Sequence, residues 1–167
     1  MREAEYYISK LNLKRHPEGG HFNEVYRSGD LIGQHDLPQR YNGDRSFATS
    51  IYFLLHEDNF SAFHKLQSDE LWTFFDGSTV LIYIIDDEGK LTEKKLGKDI
   101  ENGEEMQLVV PNNRWFASEL QDKRSFALAG CISSPGFEYD DFELGKCDSL
   151  VRLYPQHQEL IKRLTRQ

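Results

Sequence analysis

The sequence predicts an all-β domain, its strands closed into a sandwich or barrel, with a short helix at each end. Three observations carry this prediction. Runs rich in β-branched and aromatic residues recur from Phe22 to Ile132. Turn signals such as Asp76-Gly77, Asp86-Asp87-Glu88-Gly89 and Pro111-Asn112-Asn113 separate them, a spacing of about 8–12 residues that suits short antiparallel strands. No helical periodicity intervenes to supply the crossovers that a parallel sheet needs.

The elements follow in order. Ala4, Tyr7, Ile8 and Leu11 fall at i, i+3, i+4 and i+7, which is one apolar face of an N-terminal helix. His16-Pro17-Glu18-Gly19-Gly20 ends it, because proline restricts the residue before it and paired glycines accept positive φ. That segment reads as a structural turn. Phe22 to Arg27 reads as a strand, with His21, Glu24 and Arg27 on a solvated face or a pocket rim. Residues 28–44 hold Gly29, Gly33, Pro38 and Gly43 among few apolar side chains, so they are expected to form a long surface loop. Residues 47–55, FATSIYFLL, are apolar on both faces and suit a central strand. Strands are also expected over 61–66, 70–75, 80–85, 91–96, 106–110, 115–119 and 126–132. Residues 139–142 are expected to clasp the C-terminal segment. Leu160, Ile161 and Leu164 share a helical face after Pro155, a residue suited to a first helical turn.

Composition bounds the function. A chain of 167 residues suits one domain spanning 1–167. Its 38% hydrophobic and 13% aromatic content is enough for a core. A net charge of -8 works against nucleic acid and anionic membranes. No stretch approaches the ~20 apolar residues of a membrane span, and the polar N-terminus has no signal-peptide core. The two cysteines, Cys131 and Cys147, make no disulfide framework; reduced thiols in a cytoplasm are expected.

The segment 61–77 concentrates the chemistry. Strand parity puts Ala62, His64 and Leu66 on one face, and Glu70, Trp72 and Phe74 on one face of the next strand. A short turn at 67–69 would lay the two strands side by side, with His64 and Glu70 pointing into one interior. An imidazole beside a carboxylate can be a general base, part of a metal site or a plain hydrogen bond. Aromatic walls with a few convergent polar groups are typical of small-ligand pockets.

A resemblance rests on these residues. Cupins carry a first motif of the form G-x5-H-x-H-x(3–4)-E-x6-G, and this chain reads His64-x-Leu66-x3-Glu70-x6-Gly77. Leu66 replaces the second histidine and Asp58 the leading glycine. In the second motif Gly103 precedes Pro111, Asn113 stands where glycine is usual, Phe116 stands where the fourth ligand would be, and Leu120 replaces the asparagine. The segments 16–20 (HPEGG), 50–55 (SIYFLL), 68–72 (SDELW) and 134–142 (SPGFEYDDF) look like one small cupin family of sugar-epimerase-like proteins. The resemblance spans nearly the whole chain. It implies a double-stranded β-helix, the cupin jelly-roll barrel, and commonly a homodimer.

Cupin metal sites generally use three histidines and one glutamate, and two of those histidines are absent here. No metal cofactor is therefore expected, although a divalent ion is left open. By analogy with deoxysugar epimerases, His64 would be the general base, Glu70 would orient it, and Tyr52 would return the proton. Trp72, Phe74, Trp115 and Phe116 would wall the ligand, and Arg45 would meet a phosphate or carboxylate. The expected partner is a small molecule such as a sugar or nucleotide sugar. The alternatives are a non-catalytic ligand-binding cupin and a metal-dependent one.

Overall fold

The computed structural model describes residues 3–166. Two antiparallel sheets face one another as a jelly-roll double-stranded β-helix. The first has the strand order β1 (Lys14–Arg15), β2 (His21–Arg27), β5 (Thr49–His56), β12 (Phe126–Ser134), β7 (Asp69–Gly77), β10 (Gln107–Val110). The second has the order β13 (Phe142–Leu144), β6 (Phe60–Leu66), β11 (Trp115–Leu120), β8 (Val80–Ile85), β9 (Leu91–Leu96). A small ribbon of β3 (Leu31–Ile32) and β4 (Arg45–Ser46) lies where the long loop was expected.

The central apolar run is β5, paired with β2 on one side and β12 on the other. Alternation sends Phe53 and Leu55 into the interior and Tyr52 and Leu54 to the outer face. Helix α1 (Ala4–Lys10) covers that outer face with Tyr7 and Ile8, helped by Leu11 and Leu13. On the second sheet, α2 (Cys147–Leu153) and α3 (Gln158–Arg163) cover Phe63, Tyr83 and Trp115 with Leu150, Ile161 and the following Leu164. Glu119 ties this cover down. It accepts from Lys123 at 2.5 Å and from Arg163, with the Tyr83 hydroxyl at 3.1 Å.

The turn at 67–69 behaves differently from the expectation. Strands β6 and β7 do not pair side by side; the turn carries the chain from one sheet to the other. His64 and Glu70 thus face each other across the interior. One half of that interior is filled by Leu55, Phe74, Val80, Ile82 and Leu120. The other half remains open. No helix among the described residues is long and apolar enough to cross a membrane.

Candidate functional site

The open half is a cavity of about 140 Å³. Phe22, Ile51, Phe53, Leu66 and Trp72 give it apolar walls, and Glu18, His64, Glu70 and Cys131 supply its buried polar groups. The register pairs Ser133 with Glu70 and Cys131 with Trp72 on neighbouring strands, so these four side chains form one patch of wall.

His64 sits on β6 with 2% of its surface exposed. Its ring lies 4.0 Å from the Phe116 ring and 5.4 Å from the Phe142 ring, centroid to centroid. Its Nδ1 is 2.7 Å from the Ala62 carbonyl oxygen. A carbonyl can only accept, so Nδ1 carries a proton. Nε2 then faces Glu18 Oε2 at 3.2 Å. The other oxygen of Glu18 accepts from the Ser61 hydroxyl at 2.7 Å, and His16 Nδ1 lies 3.3 Å from Oε2.

Burial pushes His64 below the usual histidine value, against the pull of Glu18 and the Ala62 carbonyl. Burial also opposes ionisation of Glu18, but His64, His16 and Ser61 outweigh it and hold this carboxyl low. The pair has one proton site between Nε2 and Oε2, filled when the ring is charged and open when it is neutral. Across the cavity, Glu70 is pushed up to about 8 by burial and by the charge of Glu18, against the Trp72 indole N–H that donates to it at 2.7 Å. The Cys131 thiol is raised well above its ordinary value by burial and by the two carboxyls, which leaves it un-ionised.

The mouth is roofed by residues 137–142. Arg27 donates to Glu24 at 3.0 and 2.8 Å, to Glu138 at 2.6 Å and to the Phe137 carbonyl at 3.1 Å. The Phe137 N–H donates to Thr49 Oγ1 at 2.9 Å. The expectation that residues 139–142 clasp the C-terminal segment is corrected here. The Tyr139 ring stacks on His16 at 6.3 Å, and Phe142 packs on both His16 and His64, because this stretch enters β13 alongside β6.

Of the residues singled out in the sequence, His64, Glu70 and Trp72 line the cavity. Tyr52 does not: it alternates to the outer face of β5, where its ring meets Phe75 at 5.9 Å. Phe74 is one pleat too deep and packs in the filled half. Phe116 lies behind His64 in the core rather than on the cavity. Trp115, its neighbour, points to the outer face under the C-terminal helices, with Lys65 Nζ 4.9 Å from its ring. Arg45 is buried in a bidentate pair with Asp141, at 2.6 and 2.7 Å. Its guanidinium is committed to that carboxylate and does not line the cavity.

Glu18, not Glu70, is the carboxylate beside His64. It comes from the HPEGG turn. Gly19 and Gly20 hold positive φ of 118° and 71°. A Cβ on Gly19 would overlap the Phe60 carbonyl oxygen, and one on Gly20 would lie 2.9 Å from that of Leu54. Only a glycine pair lets the turn press this closely on the barrel, and that approach inserts Glu18. The Ala62 N–H seals it by donating to the Glu18 carbonyl at 2.9 Å. An acid between proline and two glycines was the visible signal; strand parity carries no information about a residue in a turn.

The donor set does not fit the cupin metal ligands. Leu66 and Phe116 have no donor atoms, His64 Nδ1 is protonated toward a carbonyl, and its Nε2 faces Glu18. Among the described residues, no three or more His, Cys, Asp or Glu side chains are grouped to hold a metal ion.

Comparisons with known proteins agree with this architecture. The protein SO0799 from Shewanella oneidensis superposes with a TM-score of 0.90 at 39% identity, covering 99% of each chain. A hypothetical protein from Leishmania major gives 0.88 at 33%, covering 99% of this chain and 100% of that one. Oxalate decarboxylase from Bacillus subtilis shares the fold alone, with a TM-score of 0.53 at 14% identity over 90% of this chain and 36% of its own. The uncharacterized protein YML079W of Saccharomyces cerevisiae is 31% identical over 146 residues, which is 80% of this chain and 71% of the yeast protein. The family described as Cupin superfamily (DUF985) matches residues 5–145, and the chain therefore belongs to that family.

Proposed function

We propose that this cupin is an acid–base enzyme that moves a proton on a small sugar-like ligand, as in epimerisation or isomerisation. One observation carries the reading. Two buried carboxyls share a cavity and are driven in opposite directions, Glu18 low and Glu70 up to about 8. Titratable groups pushed apart in this way mark a base and an acid. Glu18 takes the proton from a carbon next to a carbonyl, and that proton settles between its Oε2 and His64 Nε2. Glu70 keeps its proton and hydrogen-bonds the carbonyl oxygen as charge develops there. Return of that proton by Glu18 to the neighbouring carbon gives an isomer; transfer of the Glu70 proton from the facing wall to the opposite face of the same carbon gives an epimer, the proton left on Glu18 then exchanging with solvent to reset the pair.

His64 thus acts through Glu18 rather than touching the ligand with a free nitrogen, and Tyr52 has no part. The size of the cavity supports a single ring, since about 150 Å³ accommodates a benzene-sized ligand. A nucleotide carried on such a sugar would lie outside.

The test is solvent exchange. In deuterium oxide, free aldoses and ketoses should lose the C–H signal next to their carbonyl in the presence of the protein. Glu18→Gln and Glu70→Gln should each slow this on the order of 10²–10⁴-fold. Ligands that bind without exchange would sink the enzyme reading. They would favour a non-catalytic binding cupin, a reading supported by the engagement of both His64 ring nitrogens within the protein.

A further inference from the structure

We infer, building on the acid–base reading of this cavity, that its ligand carries a positive charge: a small molecule bearing a primary amine or a quaternary ammonium group. The charges that line the cavity are unbalanced. Arg27 is the one guanidinium or ammonium group among the described lining residues, and it faces two carboxylates, Glu24 and Glu138. One negative charge is therefore in excess at the mouth. Deeper in, the Glu18 carboxylate is met by the two imidazoles of His16 and His64 and the Ser61 hydroxyl, while Arg166 lies behind it, off the cavity, with its guanidinium donating to the Glu18 and Phe60 carbonyls and to Asn59. An anionic ligand would find no unspent cation here. The other candidate, Arg45, is locked on Asp141 behind the wall.

The walls suit a cation as well as the charges do. Phe22, Phe53, Trp72 and Tyr139 all line the cavity, and aromatic faces attract ammonium groups most strongly where water is excluded. The same rings already surround one basic group. His16 lies 4.7 Å from Phe22, 6.5 Å from Phe53 and 6.3 Å from Tyr139, centroid to centroid. Carboxylates combined with aromatic faces, and no free positive group, make a site selective by charge.

Two charge series of fixed shape test this by calorimetry on the wild-type protein. They are cyclohexylammonium, cyclohexanol and cyclohexanecarboxylate, and glucosamine, glucose and glucuronate. The amine of at least one series should bind roughly tenfold or more tighter than its neutral partner, and the carboxylate most weakly. The double variant Glu24→Gln with Glu138→Gln leaves Arg27 unpaired and should narrow or reverse the order. A neutral or anionic member that binds best in wild type, or no binding by any of the six at millimolar concentration, overturns the inference. Binding order is read without turnover. Glucose that binds best and exchanges deuterium would end the cation inference and leave the acid–base reading standing. Glucosamine that binds best without exchange would do the reverse.

Discussion

At the scale of single residues, the cavity turns on two side chains, Glu70 and His64, whose shifts are driven first by burial. Glu70 is the clearest. In the unfolded chain it ionises near the ordinary carboxyl value of 4.5, and in the fold near 8. A raised value means that the folded state keeps the proton longer. The neutral carboxyl thus favours folding fully below 4.5, and this advantage is lost as pH rises toward 8, by up to about 1.4 kcal/mol per unit. Glu70→Gln keeps an acceptor for the Trp72 indole and removes the titration. The variant should melt at a higher temperature than wild type at pH 8, with the difference vanishing near pH 4.5. A pH series of thermal melts checks this. His64 has the opposite sign. Its value is depressed by burial, so its contribution is complete above 6.5 and is lost as pH falls through the folded value. His64→Gln should flatten the decline in melting temperature between pH 7 and 5.

At the scale of elements, the site depends on two non-strand segments pinned onto the barrel. One is the HPEGG turn. Gly20→Ala would place a Cβ 2.8 Å from Phe53 and 2.9 Å from the Leu54 carbonyl oxygen, at a φ of 71°. It should lower stability and pull Glu18 away from His64, so loss of exchange activity should exceed what the melting temperature alone accounts for. The other is the segment roofing the cavity. Asp141 and Arg45 are both buried and paired through two hydrogen bonds. Asp141→Asn leaves the guanidinium charge uncompensated, a change that costs about 3–5 kcal/mol in buried pairs. Denaturant titration should show that loss, and amide exchange should quicken across residues 135–142. The HPEGG glycines were legible as a turn. Their use was not, because what a turn carries inward depends on the strands it lands against.

At the scale of the whole molecule, the barrel holds a lowered and a raised carboxyl in one small volume, the arrangement on which the proposed acid–base chemistry rests. Activity should be greatest between the depressed value of His64, below 6.5, and about 8 for Glu70. Below that window the site between His64 and Glu18 is already filled by a proton, and above it Glu70 has none to share. A bell-shaped rate profile, losing its alkaline limb in Glu70→Gln, is the expected result. By itself the sequence determined the succession of strands along the chain, the terminal helices and the inward face of β7, and the spacing of His64, Glu70 and Gly77 carried the cupin resemblance. The strands, the helices and that face follow from periodicity and local turn chemistry, which act over a few residues. Only the tertiary structure decided that β6 and β7 belong to opposite sheets and that Glu18 meets His64. It also set Tyr52 and Trp115 on outer faces under helices, and Arg45 against Asp141. Residues 18 and 64, or 45 and 141, come together through long-range packing. Strand alternation tells which side chains share a face, and only the closed barrel tells which face is inside.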